Sequence, residues 1–430
     1  MRSRLAALLV LAAPLLASAQ SAKPSQEELQ KLMDETDSIA ATVSKIRGLP
    51  VKKRIDRGIL SRDEIEKRLV ERMEKDYSPG ELQAEEVALK RLGLLPAEMD
   101  YRREIIDLLT EQIAGFYDPS VKELYLADWI EPHMQRMVMA HEIDHALQDQ
   151  KFDLDKFTKP DRENGDSLIA RQALVEGDGV ALMIEFMMRE MGQKVDPWAD
   201  DTIVKAMAAA TGLTGAAEFD KAPLVLKETL LFPYREGLAF IAAARRTHPW
   251  SDVDTMYARP PASTEQVIHP EKYRAGEKPV LVKNAVLATL KGWKQRYVNV
   301  LGELGERILL EQHGIPTERA ERAAAGWAGD RLVVWEGEGG VLAADLSIWD
   351  AEADALEAVD AFIEALPKLG GADPDSYTEK SPLGATVTGR DGTVSLVERK
   401  GRQVLYIVGA PAELAPKVKA ELWAKWKTAK

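Results

Sequence analysis

The chain of 430 residues has 57 basic and 70 acidic residues, a net charge of −13, and 45% hydrophobic residues. This balance is typical of an acidic globular protein, and it argues against nucleic-acid binding, which requires basic surface to neutralise phosphates. The length is sufficient for two or three domains. The sequence contains no cysteine, which excludes disulfides, thiolate metal sites and a cysteine nucleophile. Any metal must therefore be held by histidine and carboxylate side chains.

The N-terminal segment predicts export. Arg2 and Arg4 precede a short apolar run from Leu5 to Leu16, and Ala17-Ser18-Ala19 follows as a cleavage site, so residues 1–19 are predicted to be a signal peptide. The apolar run is too short to span a bilayer. No later stretch approaches the roughly 18 uninterrupted apolar residues that a transmembrane helix needs. We therefore expect a periplasmic or secreted protein without an integral membrane segment once the signal is removed.

Residues 20–110 are predicted to form a helical lead-in, because apolar residues recur at helical spacing and β-branched runs are few. Ser61, followed by acidic residues, predicts one helix start within this region. Residues 111–275, the predicted core, begin with a turn at Gly115-Phe116-Tyr117-Asp118-Pro119 and a strand at Lys122–Leu126. Helices are then predicted from about His133 to Gln150, from about Ser167 to Met191, and from Ser263.

The pattern changes near Gly276 and Pro279, where we place a domain boundary. A linker helix is predicted from about residue 281 or 286 to residue 312. Strands are predicted after it at residues 331–335, 340–349, 384–388, 393–398 and 403–408, with helices at 350–366 and 412–427. The predicted fold class is α+β: a mainly helical core with a short edge-strand sheet, followed by residues 276–430 as a linker helix and a C-terminal α+β accessory domain.

A His-Glu-x-x-His pattern carries the predicted chemistry. In His141-Glu142-Ile143-Asp144-His145 the two histidines are four residues apart on a predicted helix. They therefore lie about 40° apart around the helix axis and project both imidazoles toward one point, which suits two ligands of Zn²⁺. Glu142 falls beside the same face, where its carboxylate can accept a proton from a water activated by the metal.

The third zinc ligand is predicted from the next helix. The metzincin pattern requires glycine and histidine where this chain has Gln148 and Lys151, so that class is excluded. Asp149 lies too far along the helix from the first histidine to share an ion, and it is expected at most to support His145. We predict Glu176 as the third ligand, because an antiparallel return of the chain would bring its carboxylate opposite the histidines. Asp178 is the alternative, as a ligand or as a supporting partner.

His141, Glu142, His145 and Glu176 resemble the site of the gluzincin metallopeptidases, in which a glutamate from a later helix completes His-Glu-x-x-His. More narrowly, four segments resemble an exported zincin-like bacterial family without a defined substrate, and this resemblance covers about residues 60–275. The segments are GFYDP at residues 115–119, HEIDHALQDQ at 141–150, VEGD at 175–178 and PPASTEQVIHP at 260–270. No Asn-Glu-x-x-Ser-Asp follows the histidines, which distinguishes the chain from thermolysin-type enzymes. The resemblance implies hydrolysis of peptide bonds in a peptide or protein substrate.

The resemblance also implies that the strand at Lys122–Leu126 forms the cleft edge and holds the substrate backbone by strand addition. A donor to the oxyanion is needed as well. His269 and Tyr257 are predicted for this role, with Tyr234 and Arg235 as further candidates.

Two other functions fit the same sequence. One is a non-catalytic binding or assembly protein of the cell envelope on a zincin scaffold, and the other is a hydrolase of cell-wall peptide cross-links.

Overall fold

A computed structural model describes residues 12–14, 24–129, 132–193, 196–210, 217–246 and 248–428. The predicted signal peptide lies outside these residues except for Ala12–Pro14. The described part contains both long helices and two larger sheets, so the α+β class predicted from the sequence is confirmed. Among the described helices, none is long and apolar enough to cross a membrane.

The N-terminal part is mainly helical. As far as residue 190 its elements are β1 (Ala12–Pro14), α1 (Gln26–Arg47), β2 (Asp56–Leu60), α2 (Arg62–Asp76), α3 (Pro79–Arg91), α4 (Tyr101–Gln112), β3 (Ile113–Asp118), β4 (Glu123–Ala127), α5 (Pro132–Phe152), α6 (Leu154–Phe157) and α7 (Gly165–Glu190). They are followed by α8 (Asp201–Ala210), α9 (Ala217–Lys221), α10 (Leu224–Arg245), α11 (Trp250–Ala258), α12 (Thr264–Ile268) and α13 (Pro270–Ala275). Ser61 and Ser263 cap the starts of α2 and α12, as predicted.

The N-terminal sheet has the strand order β1-β3-β4-β2. Strand β4 lies between β3, to which it is antiparallel, and β2, to which it is parallel. The prediction that Lys122–Leu126 forms the cleft edge is therefore wrong, although the strand itself exists. The parallel partner β2 comes from the lead-in, more than 60 residues earlier in the chain, and local patterning does not reveal such a pairing. Strand β3 lies next to Ala12–Pro14 instead.

Four helices form the centre of the N-terminal part. Helix α7 packs against α10 and α5, and α1 packs against both α5 and α7. The crossing of α7 and α10 is tight, because a Cβ atom on Gly177 would overlap the backbone of Gly237. Small residues at such a crossing allow two helix backbones to approach closely, so α7 lies directly against α10.

The C-terminal part is built on a seven-stranded antiparallel sheet with the order β6-β7-β8-β12-β11-β10-β9. Its elements are β5 (Val282–Lys283), β6 (Lys294–Asn299), α14 (Gly302–Gln312), α15 (Thr317–Ala324), β7 (Trp327–Gly337), β8 (Gly340–Trp349), α16 (Glu352–Leu369), β9 (Tyr377–Ser381), β10 (Gly384–Thr388), β11 (Val394–Lys400), β12 (Gln403–Ala410), α17 (Ala415–Lys425) and β13 (Lys427–Thr428). All five predicted strands and both predicted helices after residue 330 are present. The mostly exposed edge strand β9 was missed.

The predicted linker helix is wrong in its first half. Only Gly302–Gln312 is helical, and the preceding segment contains the strands Val282–Lys283 and Lys294–Asn299. Gly292 has a φ of 89°, a left-handed conformation that interrupts a helix before β6. Strand β6 then buries its last three residues beside β7. Pairing with a strand that lies some 30 residues further along the chain therefore overrides the local helical pattern.

The two parts share one hydrophobic core, which runs from the N-terminal helices through α14 to the near face of the C-terminal sheet. A second core covers the far face, beneath α17. Polar contacts also join the parts: the Gly165 N–H donates to Asn299 Oδ1, and Arg331 donates to the carbonyl of Glu163. The domain boundary near residues 276–279 stays a prediction, and these contacts hold the segments on its two sides together.

Four buried carboxyl groups lie close together where the two parts meet. They belong to Asp166, Glu306, Asp330 and Asp345. Each residue is at most 1% exposed. No N–H or hydroxyl donor of the described residues reaches either carboxyl oxygen of Glu306 or Asp345. Burial raises the pKa of Asp166 to about 7, and it raises the pKa values of Glu306 and Asp345 well above the usual carboxyl range. Protons are therefore retained in this cluster at neutral pH.

This cluster predicts a pH-dependent stability. The folded chain holds the protons more tightly than the unfolded chain, so the free energy of unfolding should fall as pH rises from about 4 toward 7. Asp345→Asn keeps the shape without an ionisable group. This variant should therefore lose less free energy of unfolding as pH rises, and it should be more stable than wild type at pH 8 by about 1–3 kcal/mol. Thermal unfolding between pH 4 and 8 measures the effect, with the exposed Asp373→Asn as control. A steeper decline in Asp345→Asn would contradict the prediction.

Candidate metal centre

Three predicted ligands meet in the buried space between α5 and α7. His141 and His145 come from α5 and Glu176 from α7, and all three residues are at most 1% exposed. The two Nε2 atoms lie 2.8 Å apart. Oε2 of Glu176 lies 3.2 Å from the Nε2 of His141 and 3.4 Å from the Nε2 of His145. The structure thus brings one donor atom of each predicted ligand to a single point.

Two of these three distances fit tetrahedral zinc, which with bonds of about 2.0–2.2 Å holds its ligand atoms about 3.2–3.6 Å apart. They are the distances from Glu176 Oε2 to the two imidazoles, whereas the two Nε2 atoms are closer together, at 2.8 Å. Burial alone would raise the pKa of Glu176, but the two imidazoles more than offset it and lower that pKa to about 2. Burial lowers the pKa of His145, but the carboxylates of Glu176 and Glu142 more than offset it and raise that pKa to about 9. Without a metal the carboxylate is therefore ionised and pairs with a protonated His145, and a metal ion that binds here takes the place of that proton.

A second group of carboxylates within metal-binding distance has another explanation. It consists of Glu265, Glu277 and Asp350. The ammonium group of Lys272 lies among them, 2.5 Å from Glu265 and in contact with Asp350. This side chain already supplies the positive charge that the carboxylates require. Among the described residues, the histidine pair with Glu176 is therefore the better candidate for a metal centre.

Glu142 is fully buried beside the three ligands, one residue after His141. Its Oε2 accepts a hydrogen bond of 2.8 Å from the backbone N–H of Tyr117 in β3. The backbone of β3 thus orients the carboxylate. A general base needs such an oriented carboxylate.

Gln148, which the sequence reasoning passed over, supports the second histidine. His145 Nδ1–H donates to Gln148 Oε1 over 2.9 Å, and Gln148 Nε2–H donates to Asp144 over 2.8 Å. This contact directs Nε2 of the imidazole toward His141 and Glu176. The prediction that Asp149 supports His145 is wrong, because Asp149 instead accepts hydrogen bonds from the Tyr117 hydroxyl and the Lys122 ammonium. Both positions follow His145 within one helical turn, and only the packing of α5 distinguishes them.

Asp178 is not part of the ligand group. Its carboxylate pairs with Arg47 and accepts a hydrogen bond of 2.8 Å from the Tyr257 hydroxyl. Residues two apart on a helix point about 200° apart, so Asp178 and Glu176 leave α7 on nearly opposite sides. The ring of Tyr257 stacks on Phe152 at 3.9 Å. The structure thus brings Tyr257 to Asp178 and not to the three ligands.

The other oxyanion candidates have different surroundings. His269 Nε2 lies 2.9 Å from Glu303 of α14, which raises the pKa of that histidine. Arg235 pairs with Glu228 and Glu236. Tyr234 is buried, and its ring stacks near that of His141 with centroids 6.4 Å apart. The catalytic roles of His269 and Tyr257 stay predictions, and of the four candidates Tyr234 is the one in ring contact with a predicted zinc ligand.

Gly179 allows α7 to approach the histidines. A Cβ atom at this position would lie 2.7 Å from Cε1 of His141 and 3.1 Å from Cε1 of His145. Gly179→Ala should therefore push the rings away from Glu176 and weaken zinc binding about 10–100-fold. Competition with a chromogenic chelator measures the affinity. Gly80→Ala is the matched control, because nothing lies within 4 Å of a Cβ atom there. Equal zinc affinity in both variants would refute the steric argument.

Residues 291–419 match a family described as "Domain of unknown function (DUF8575)". The match begins just before β6 and ends within α17, so it lies entirely C-terminal to the candidate metal centre. No curated protein matches the chain, and no solved structure matches it. The chemistry of the metal centre is therefore argued from its own residues and geometry.

Proposed function

We propose that the chain is an exported zinc-dependent metallopeptidase of gluzincin type, with a zincin-like core, that hydrolyses peptide bonds. The observation that carries this proposal is the convergence of three buried donor atoms, two from His141 and His145 and one from Glu176, within 3.4 Å. Glu142 lies beside them as an oriented carboxylate. A binding protein built on the same scaffold would have no need of a carboxylate at this position.

The residues divide the chemistry between them. Zinc held by the three ligands would lower the pKa of a water molecule and polarise the scissile carbonyl. Glu142 accepts one proton from this water as the water oxygen attacks the carbonyl carbon. When the C–N bond breaks, Glu142 delivers that proton to the leaving nitrogen, so the products are one carboxyl and one amino terminus. The Tyr117 N–H keeps the carboxylate oriented during both transfers.

Strand β3 supports binding of an extended peptide. One side pairs with β4, and the other side pairs antiparallel with β1, placing Ala12 opposite Phe116 and Pro14 opposite Ile113. Removal of residues 1–19 as a signal peptide would free this side for a substrate strand, which binds through the same backbone groups. Because Tyr117 of β3 also holds Glu142, a peptide on this edge would pass beside the catalytic carboxylate.

Tyr234 is the best-placed candidate for the oxyanion donor, because its buried ring lies against His141. Tyr234→Phe should lower kcat about 10²–10³-fold with zinc retained, since the phenol would donate to the oxyanion and is not one of the three metal ligands. Tyr257→Phe is the matched control, and it should affect mainly stability through Asp178. If Tyr257→Phe lowers kcat more than Tyr234→Phe at equal zinc content, the assignment of the donor is wrong.

The proposal is tested with the purified mature chain. We expect about one zinc per chain, cleavage of members of a diverse peptide library, and inhibition by a chelator that added zinc reverses. Cell-wall peptide cross-links are digested in parallel, which distinguishes a protein or peptide substrate from the envelope alternative. A chain that binds zinc and cleaves nothing in either panel would support the non-catalytic scaffold instead.

A further inference from the structure

The lead-in helix α1 contributes a buried charge to the surroundings of the metal centre. Arg47, the last residue of α1, has a side chain that is 0% exposed. Its Nε and Nη2 donate to the two carboxylate oxygens of Asp178 over 2.7 and 2.9 Å. Its Nη1 donates to Asp254 over 2.7 Å, and the ring of Trp250 lies 4.6 Å from the guanidinium carbon. Gly48, with a φ of 80°, ends the helix directly after it.

This guanidinium joins α7, which carries one predicted zinc ligand, to α11. Asp178 is on α7, two residues after Glu176 and next to the glycine against which the histidine rings pack. Asp144 is on α5 between the histidines, is fully buried, and is bridged to His145 through Gln148. The charge of Arg47 also attracts that of Asp144. One cation thus interacts with two buried carboxyl groups.

Loss of that cation would leave the carboxylate of Asp178 buried without its bidentate partner. An uncompensated buried charge is strongly destabilising, and its relief would alter the packing of α7 against α5. The zinc ligands are on those same helices, so the distance between the histidines and Glu176 would change too. Apolar residues of α1, including Ile39 and Val43, belong to the same core.

We propose that Arg47 is a positioning residue for the metal centre, and that α1 therefore belongs to the active protein and is not part of a removable prosegment. The proposal rests on the proposed zinc peptidase. The residue itself touches neither the three ligands nor, by its burial, a substrate in the cleft. It acts through Asp178 on α7 and through the Asp144–Gln148 pair on α5.

The test compares Arg47→Met with the double variant Arg47→Met/Asp178→Asn. We expect Arg47→Met to release zinc to a chelator about 10–100-fold faster than wild type, as for other residues that support metal ligands. Asp178→Asn removes the unpaired charge, so the double variant should recover part of that loss. Arg103→Met is the control, because Arg103 is a half-exposed arginine of the lead-in that pairs at the surface. Thermal unfolding of each variant identifies any general folding defect.

Several outcomes separate this proposal from the peptidase itself. If Arg47→Met folds and releases zinc at the wild-type rate, the positioning role is refuted even though the peptidase stands. If Arg47→Met does not fold but the double variant folds and retains zinc, the charge-balance argument is supported. Isolation of an active form that begins near residue 110 would refute the claim for α1. A wild-type chain without zinc or peptidase activity would refute the proposed function, and it would do so independently of the Arg47 variants.

Discussion

Replacing His141 or His145 by alanine should reduce the zinc content from about one per chain to below about 0.1. Each imidazole supplies one of three donor atoms that lie within 3.4 Å of one another. An alanine leaves two protein ligands, too few to retain a catalytic zinc against a chelator. Inductively coupled plasma mass spectrometry after gel filtration measures the metal. The exposed His248→Ala should retain zinc fully, because His248 pairs with Asp252 at the surface.

The third ligand is tested in the same way. Glu176→Ala should release zinc, whereas Asp178→Ala should retain more of it, because Asp178 pairs with Arg47 and not with the histidines. Both residues are buried on α7, so a general effect of burial would appear in both variants. If Glu176→Ala binds zinc as tightly as wild type and Asp178→Ala does not, the ligand assignment is wrong.

Glu142→Gln should lower peptidase activity at least about 10²-fold with zinc content and melting temperature nearly unchanged. Glutamine has the same shape, and its amide oxygen still accepts the hydrogen bond from the Tyr117 N–H. It cannot accept a proton from the attacking water. The measurements are kcat and KM on a peptide that the wild type cleaves, together with zinc content and thermal unfolding.

Glu413→Gln is the control for this substitution, because Glu413 is exposed and far along the chain in the C-terminal part. If the chain is a non-catalytic scaffold protein, cells with Glu142→Gln should have the same phenotype as cells with the wild type. If the wild type cleaves nothing with zinc bound, and Glu142→Gln supports the same cellular phenotype as wild type, then the carboxylate has no catalytic role and the peptidase proposal fails.

The clustering of the three predicted ligands could be predicted largely from local spacing. The interval of four residues between His141 and His145 places both rings on one helix face, and the structure has them there. The choice of Glu176 depended on the turn between two helices, and the structure brings its carboxylate to the histidines. Gln148 was missed because it and Asp149 both follow His145 within one turn of α5. Which of the two reaches the imidazole depends on the rotation of that helix against its neighbours.

The oxyanion donor and the cleft edge depend on contacts between distant segments. Tyr257 and His269 were plausible from their types and from the Pro-rich segment around them, but their hydrogen bonds are made to Asp178 and Glu303. Strand β4 was expected at the edge, but β2 pairs beside it after a long excursion through three helices. Such pairings depend on how the helices pack, and short sequence windows contain no record of that packing.

The sequence by itself determined the α+β class, the strands at residues 340–349 and 384–388, and the histidine pair, because each depends on periodicity or spacing within one element. The tertiary structure alone decided that β3 borders β1, that Arg47 of the lead-in balances Asp178, and that Gly179 admits the histidine rings. These three features join segments that are from about 35 to 130 residues apart. Their free energy comes from packing and charge pairing between elements, which local preferences do not encode.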